Sequence, residues 1–183
     1  ALFVKDSGVN ALAGDTAVAF GHNAVLEMLG GSSTAYGRLL EASNFVRMTA
    51  GNKFTAAMSQ GYIWGVNGVD IHLTGDETVY KASQFNTHSQ PGQVSLRASG
   101  AKSTFEFGRG SFWGFSGLSL TMSGADNQLI ASDITAFNTY TGAGVRIAVG
   151  NNQPNGTIKM SQARFGGAGG LVIEAGKGGS GGL

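Results

Sequence analysis

The chain is 183 residues long, with a formal net charge of +1, 13% charged side chains, 31 glycines, 2 prolines and no cysteine. This length suits a single domain with a sizeable core, and an apolar fraction of 42% at so low a charge excludes a disordered chain. The missing cysteines exclude disulfides, thiolate chemistry and Cys-ligated zinc, and Lys and Arg scattered along the chain give no basic face for nucleic acid.

Residues 1–24 carry two strand-like stretches, Leu2-Phe-Val4 and Ala17-Val-Ala-Phe20, between Gly- and Asn-rich turns, and are expected to make an incomplete first coil. In the next segment Val25, Leu26, Met28 and Leu29 would fit one side of a helix. Gly30, Gly31 and Gly37 interrupt it, so strands are expected at 24–29 and 36–42. From Val46 onward an apolar-any-apolar pattern, each time followed by a polar or glycine turn, recurs at steps of 23 to 27 residues. Its copies are Val46-Arg-Met48, Val69-Asp-Ile71, Val94-Ser-Leu96, Leu118-Ser-Leu120, Val145-Arg-Ile147 and Leu171-Val-Ile173. A period of this length marks a solenoid, in which one coil cannot bury its apolar side without the next.

A second element, small and polar residues followed by an aromatic one, closes the coils. It reads Ala42-Ser-Asn-Phe45, Ala82-Ser-Gln-Phe85, Ser111-Phe112, Ala131 to Phe137 and Met160 to Phe165, with Met58 to Trp64 in the coil that starts at Val46. Within each strand the first and third residues alternate with outward Arg47, Asp70, Ser95, Ser119 and Arg146, so one face is buried and the other solvated. The expected fold is all-β, a parallel β-helix of about seven coils, with a β-sandwich or jelly roll as the alternative. It forms one domain over residues 1–183, made of irregular N-terminal coils at 1–45, regular coils at 46–174 and a Gly-rich tail at 175–183. No apolar run is long enough to span a membrane.

The coil length, the inward aliphatic columns and the turn asparagines Asn127 and Asn151-Asn152 make residues 46–174 resemble right-handed parallel β-helix proteins, a group that includes pectate-lyase-like enzymes and phage tailspikes. The resemblance implies stacked parallel coils. It assigns no function, because the architecture hosts lyases, hydrolases, adhesins and inert spacers alike.

Superposing the coils gathers one dense polar corner, Arg47, Asp70, His72 and Arg97. In an enzyme, Asp70 or His72 would accept a proton and Arg97 would stabilise a carboxylate or developing oxyanion. In a spacer, the same four are charge pairs on a solvated sheet. Glycoside hydrolysis needs two carboxyls across a cleft; Asp76 and Glu77 read as a polar turn, and Asp126 and Asp133 have no visible partner. The histidines 22, 72 and 88 lie far apart in phase, so no metal site and no cofactor is expected.

The densest aromatic run, Phe105, Phe107, Phe112, Trp113 and Phe115, together with Tyr62 and Trp64, divides in two. Phe105, Phe107 and Phe112 are expected to fill the core. Tyr62, Trp64, Trp113 and Phe115 are candidates for an interface or a sugar-stacking surface, with Gly178 and Gly179 of the tail as further interface candidates. The function expected is a non-enzymatic structural or adhesive subunit, extracellular, at a cell surface or on a virion, whose partner is itself, end to end or laterally. The alternative is a domain that binds or degrades cell-surface polysaccharide.

Overall fold

In the computed structural model the described residues are 45–59, 61–140, 142–150, 153–167 and 169–176, and before them the backbone of five strand segments. The strands are Leu2–Lys5 (β1), Val9–Asn10 (β2), Thr16–Phe20 (β3), Val25–Leu29 (β4), Gly37–Ala42 (β5), Phe45–Ala50 (β6), Thr55–Ser59 (β7), Gly61–Gly65 (β8) and Gly68–Leu73 (β9). They continue as Val79–Ser89 (β10), Gln93–Ala98 (β11), Thr104–Gly114 (β12), Leu118–Met122 (β13), Gln128–Asn138 (β14), Val145–Val149 (β15), Thr157–Ser161 (β16), Phe165–Gly166 (β17) and Leu171–Ala175 (β18). Among the described residues every pairing is parallel, which rules out the sandwich alternative and gives a β-solenoid of about five turns. Seven strands stack on one sheet, but the solenoid has about five turns, fewer than the seven coils expected from the sequence.

Each turn has three faces. The first is the 7-stranded sheet β3-β6-β9-β11-β13-β15-β18. The second and third belong to one 11-stranded sheet, the second built from β1, β4, β7, β16 and the first halves of β10, β12 and β14, the third from β2, β5, β8, β17 and the second halves of the same three. The expected repeat is the observed register: Val46, Val69, Val94, Leu118, Val145 and Leu171 stand on one another, as do Met48, Ile71, Leu96, Leu120, Ile147 and Ile173. At about 1.5 to 3 kcal/mol per buried large apolar side chain, these columns are a large favourable term in a fold whose described residues form no helix.

Val69 through Ile147 are buried in those columns as expected, but Leu171 is 45% and Ile173 40% exposed. They face inward in register with Val145 and Ile147, yet no further described coil covers them. Phe105, Phe107 and Phe112 do fill the core.

Two bends recur along the described turns, and both place a residue other than glycine at positive φ. At the first to second face these are Lys53, Glu77, Lys102, Asp126 and Asn155; at the second to third face they are Gln84, Arg109, Asp133 and Gln162. Such a conformation costs about 1 to 2 kcal/mol per residue and persists where neighbours over-determine it. Here the neighbours are the coils above. Lys53, Glu77, Lys102 and Asp126 each donate their backbone N–H to a carbonyl of the next turn, those of Asp76, Ala101, Ala125 and Pro154, at 2.8 to 3.2 Å. Side-chain space is as tight: a Cβ on Gly100 would lie 2.0 Å from the Gly75 carbonyl oxygen.

The small-polar element proves to be the second bend. Ser83-Gln84, Ser132-Asp133 and Ser161-Gln162 stack there, with Gly108-Arg109 in the same rung. Two proposed copies are out of phase: Phe45 opens β6 opposite Gly68, and Ser111 pairs with Asn86 beyond the bend.

Candidate functional site

The outward side of the first face holds the polar corner. Arg47 and Asp70 are register partners, as are His72 and Arg97, so the reach from Arg97 to Asp70 is diagonal across one rung. Arg97 grips the Asp70 carboxylate through Nη2 at 2.5 Å and Nε at 3.1 Å. A glycine at position 68 lets the Phe45 ring lie against the strand, since a Cβ there would come within 2.7 Å of it, and the Arg47 guanidinium sits 5.1 Å from the centre of that ring. Together with Gln93 and Ser95 these residues line an open groove of about 340 Å³.

His72 lies next to this groove with Nε2 3.1 Å from the Ser99 hydroxyl. Burial holds its pKa below the usual histidine value, the Arg97 charge pushes the same way, and Asp70 opposes them. The ring is therefore neutral near pH 7.

A general-acid/base pair does not assemble here. Asp70 is the one carboxylate in the groove lining, and both its oxygens are taken by the guanidinium. Asp76 and Glu77 are in the exposed turn, as read from the sequence, where Asp76 Oδ1 accepts the Ala101 N–H at 2.7 Å. Asp126 and Asp133 sit at different bends; Asp126 accepts from Asn155, and Asp133 lies 3.9 Å from Arg109. Among the described residues no three His, Asp or Glu side chains converge as a metal site would require.

The aromatic candidates gather on the third face. Trp64, His88 and Trp113 are consecutive register partners on β8, β10 and β12. Their rings meet edge to face, 6.2 Å from Trp64 to His88 and 5.7 Å from His88 to Trp113. The strip continues at 6.1 Å to Tyr140, which is 66% exposed and stacks on Phe115 at 5.4 Å. Trp113 is partly exposed while its neighbour Phe112 is buried, as strand alternation demands. Tyr62 pairs with Asn86 on the adjacent outward column.

Hydrogen bonds fix the tautomer of His88. Ser111 Oγ donates to Asn86 Oδ1 at 2.8 Å, so His88 Nε2, 2.7 Å from Ser111 Oγ, is the donor to it. Burial pushes the His88 pKa down.

The polar corner and the aromatic strip thus lie on different faces. Sequence reasoning missed His88 and Tyr140. The signal for His88 was its spacing, since it stands one period from both Trp64 and Trp113. Gly178 and Gly179 lie outside the described residues. No family model matches the chain, and no curated protein or solved structure matches it.

Proposed function

We propose that this β-solenoid is a right-handed, tailspike-like β-helix that works as a non-enzymatic structural or adhesive subunit outside a cell or on a virion, by joining copies of itself end to end. The observation that carries the reading is β18. Leu171, Val172 and Ile173, three consecutive apolar residues, are all at least 40% exposed on the edge of the 7-stranded sheet. Its other edge among the described residues is β3. Because all the strands run the same way, a translated second copy brings its β3 edge to this β18 edge in the parallel sense that every internal rung already uses. Such a head-to-tail contact does not close, and it grows into a filament.

Negative-stain microscopy and sedimentation of the purified chain test this. Filaments or oligomers that dissociate in Val172→Asp, an outward substitution that leaves the core alone, are the expected result; a monodisperse monomer at high concentration defeats the reading. The groove with its single, guanidinium-bound carboxylate supports the absence of hydrolase or lyase activity. Release of reducing ends or unsaturated sugars from a polysaccharide panel, abolished by Asp70→Asn, would reverse that part. A second reading, carbohydrate binding, is favoured by the ring strip from Trp64 to Tyr140, and loss of polysaccharide retention in Trp113→Ala would support it.

A further inference from the structure

The two Asn-Gly pairs of this chain, Asn67-Gly68 and Asn155-Gly156, differ in where the glycine lies, in a strand for the first and in a bend for the second. Glycine after asparagine leaves the backbone nitrogen unshielded, which is what intramolecular attack on the side-chain amide requires. Gly68 is fixed within the first face, flanked in register by Phe45 on one side and Gln93 on the other. Both asparagines are exposed, but Gly68 is buried in β9, whereas Asn155 and Gly156 lie in the bend between β15 and β16, with Asn155 at φ 61° and, among the described residues, no hydrogen bond from the Gly156 N–H. This bend is also longer than its counterpart one turn below: Gly150 to Thr157 stands where Ser123 to Gln128 stands, with two more residues.

We infer that Asn155 is a site of spontaneous deamidation whose product weakens the last described coil, while Asn67 is protected by its place in the ladder. The Gly156 backbone nitrogen loses its proton to solvent base and attacks the Asn155 Cγ. The new N–C bond closes a succinimide and ammonia leaves; water then opens the ring at either carbonyl, giving aspartate or isoaspartate. No oxidant or enzyme enters the balance.

The consequence follows from what Asn155 touches. Its Nδ2 donates to Asp126 Oδ1 at 2.8 Å, and Asp126 stands in the same positive-φ column one turn below. Hydrolysis replaces that donor with a second carboxylate, so an attractive contact becomes a like-charge one. The isoaspartate branch also adds a backbone carbon to a bend whose Asp126 N–H bonds the Pro154 carbonyl at 3.2 Å. The turns below are insulated, since Lys53, Glu77 and Lys102 take the equivalent position.

The test is to age the folded full chain at mildly alkaline pH and body temperature and to map both sites by peptide mass spectrometry with isoaspartate-sensitive fragmentation. Aspartate and isoaspartate should accumulate at position 155 at least about tenfold faster than at 67, the ratio that a ladder opening costing about 1.4 kcal/mol imposes. In strong denaturant, where both are plain Asn-Gly peptides, the two rates should converge. Equal rates in the folded protein, or faster reaction at Asn67, overturn the inference. Asn155→Gly, which suits the positive φ and carries no amide, should stay homogeneous at this position, and Asn155→Asp should show increased hydrogen exchange in β16 to β18 relative to it. Unchanged exchange there overturns the structural consequence.

Discussion

Ile147 and Ile173 hold the same position in successive rungs and differ in almost everything that position confers. Ile147 is wholly buried, whereas Ile173 is 40% exposed. Their strands, register and inward orientation are equivalent. The difference is a neighbour: among the described residues Ile147 has a coil on each side, and Ile173 has one on one side. In a solenoid the apolar pattern specifies orientation, and burial comes from the adjoining turn. The middle coils are therefore a core, and β18 leaves apolar side chains exposed, which is what the proposed end-to-end contact would cover.

The largest expected effect sharpens that contrast. Leu120→Ala, in the middle of the column, should cost about 2 to 5 kcal/mol in denaturant unfolding, because the stacked coils around it cannot collapse into the space. Ile173→Ala in the dissociated chain should cost about 1 kcal/mol or less, since much of its side chain is already in water. Comparable losses at the two sites would break the distinction between core and edge.

The middle coils also contain groups that gain nothing from being there. Thr78 and Ser103 are fully buried but satisfied, with Thr78 Oγ1 donating to Ser103 Oγ at 2.8 Å and Ser103 N–H donating to Asn127 Oδ1. Tyr80 is just as buried and its hydroxyl has no partner among the described residues. Burial accordingly pushes its phenol pKa up. An unsatisfied buried hydroxyl costs about 1 to 3 kcal/mol, while the ring packs against Phe105 and Phe107 at 5.7 and 6.2 Å. Tyr80→Phe should keep the packing and raise the unfolding midpoint by the equivalent of about 1 kcal/mol. A clear loss of stability would mean that the hydroxyl is satisfied after all.

What the sequence made legible follows the same division. The columns from Val46 to Ile173 were readable because inward aliphatics repeat at nearly constant spacing and strand alternation fixes their side. The Arg47, Asp70, His72 and Arg97 corner was readable for the same reason. The bends were not. Lys53, Glu77, Gln84 and Arg109 carry no local mark of positive φ; at Lys53 and Glu77 the conformation is held by carbonyls of the adjoining turn, which only the assembled stack supplies. Composition likewise marked the aromatic run but not its histidine. His88 joins the strip because of where it falls in the period, and Tyr140 because a corner brings it over Phe115.

The smallest effect is a pH dependence confined to the middle coils. The rung of Trp64, His88 and Trp113 continues with Asn138 and Gly166, so toward β18 nothing in it titrates. Burial lowers the folded-state pKa of His88 below 6.5, and burial with the Arg97 charge lowers that of His72. Between the lowered values and 6.5 the unfolded chain binds more protons than the folded one, so stability rises with pH across that window. It is complete above about 6.5 and is lost as pH falls through 6.5 toward the folded-state values. Trp64, Trp113 and Ser111, which meet the His88 ring, and Asn86 behind Ser111 supply no charge to offset its protonation. The chain has 2 tryptophans and both flank this ring, so their fluorescence reports its charge directly. Emission should change as pH drops below 6.5 with a midpoint under that of free histidine, and His88→Gln should abolish the change while leaving the contribution of His72 to acid unfolding. A midpoint at or above 6.5 would show that the ring is not desolvated, and an unaltered titration in His88→Gln would assign the change to another group.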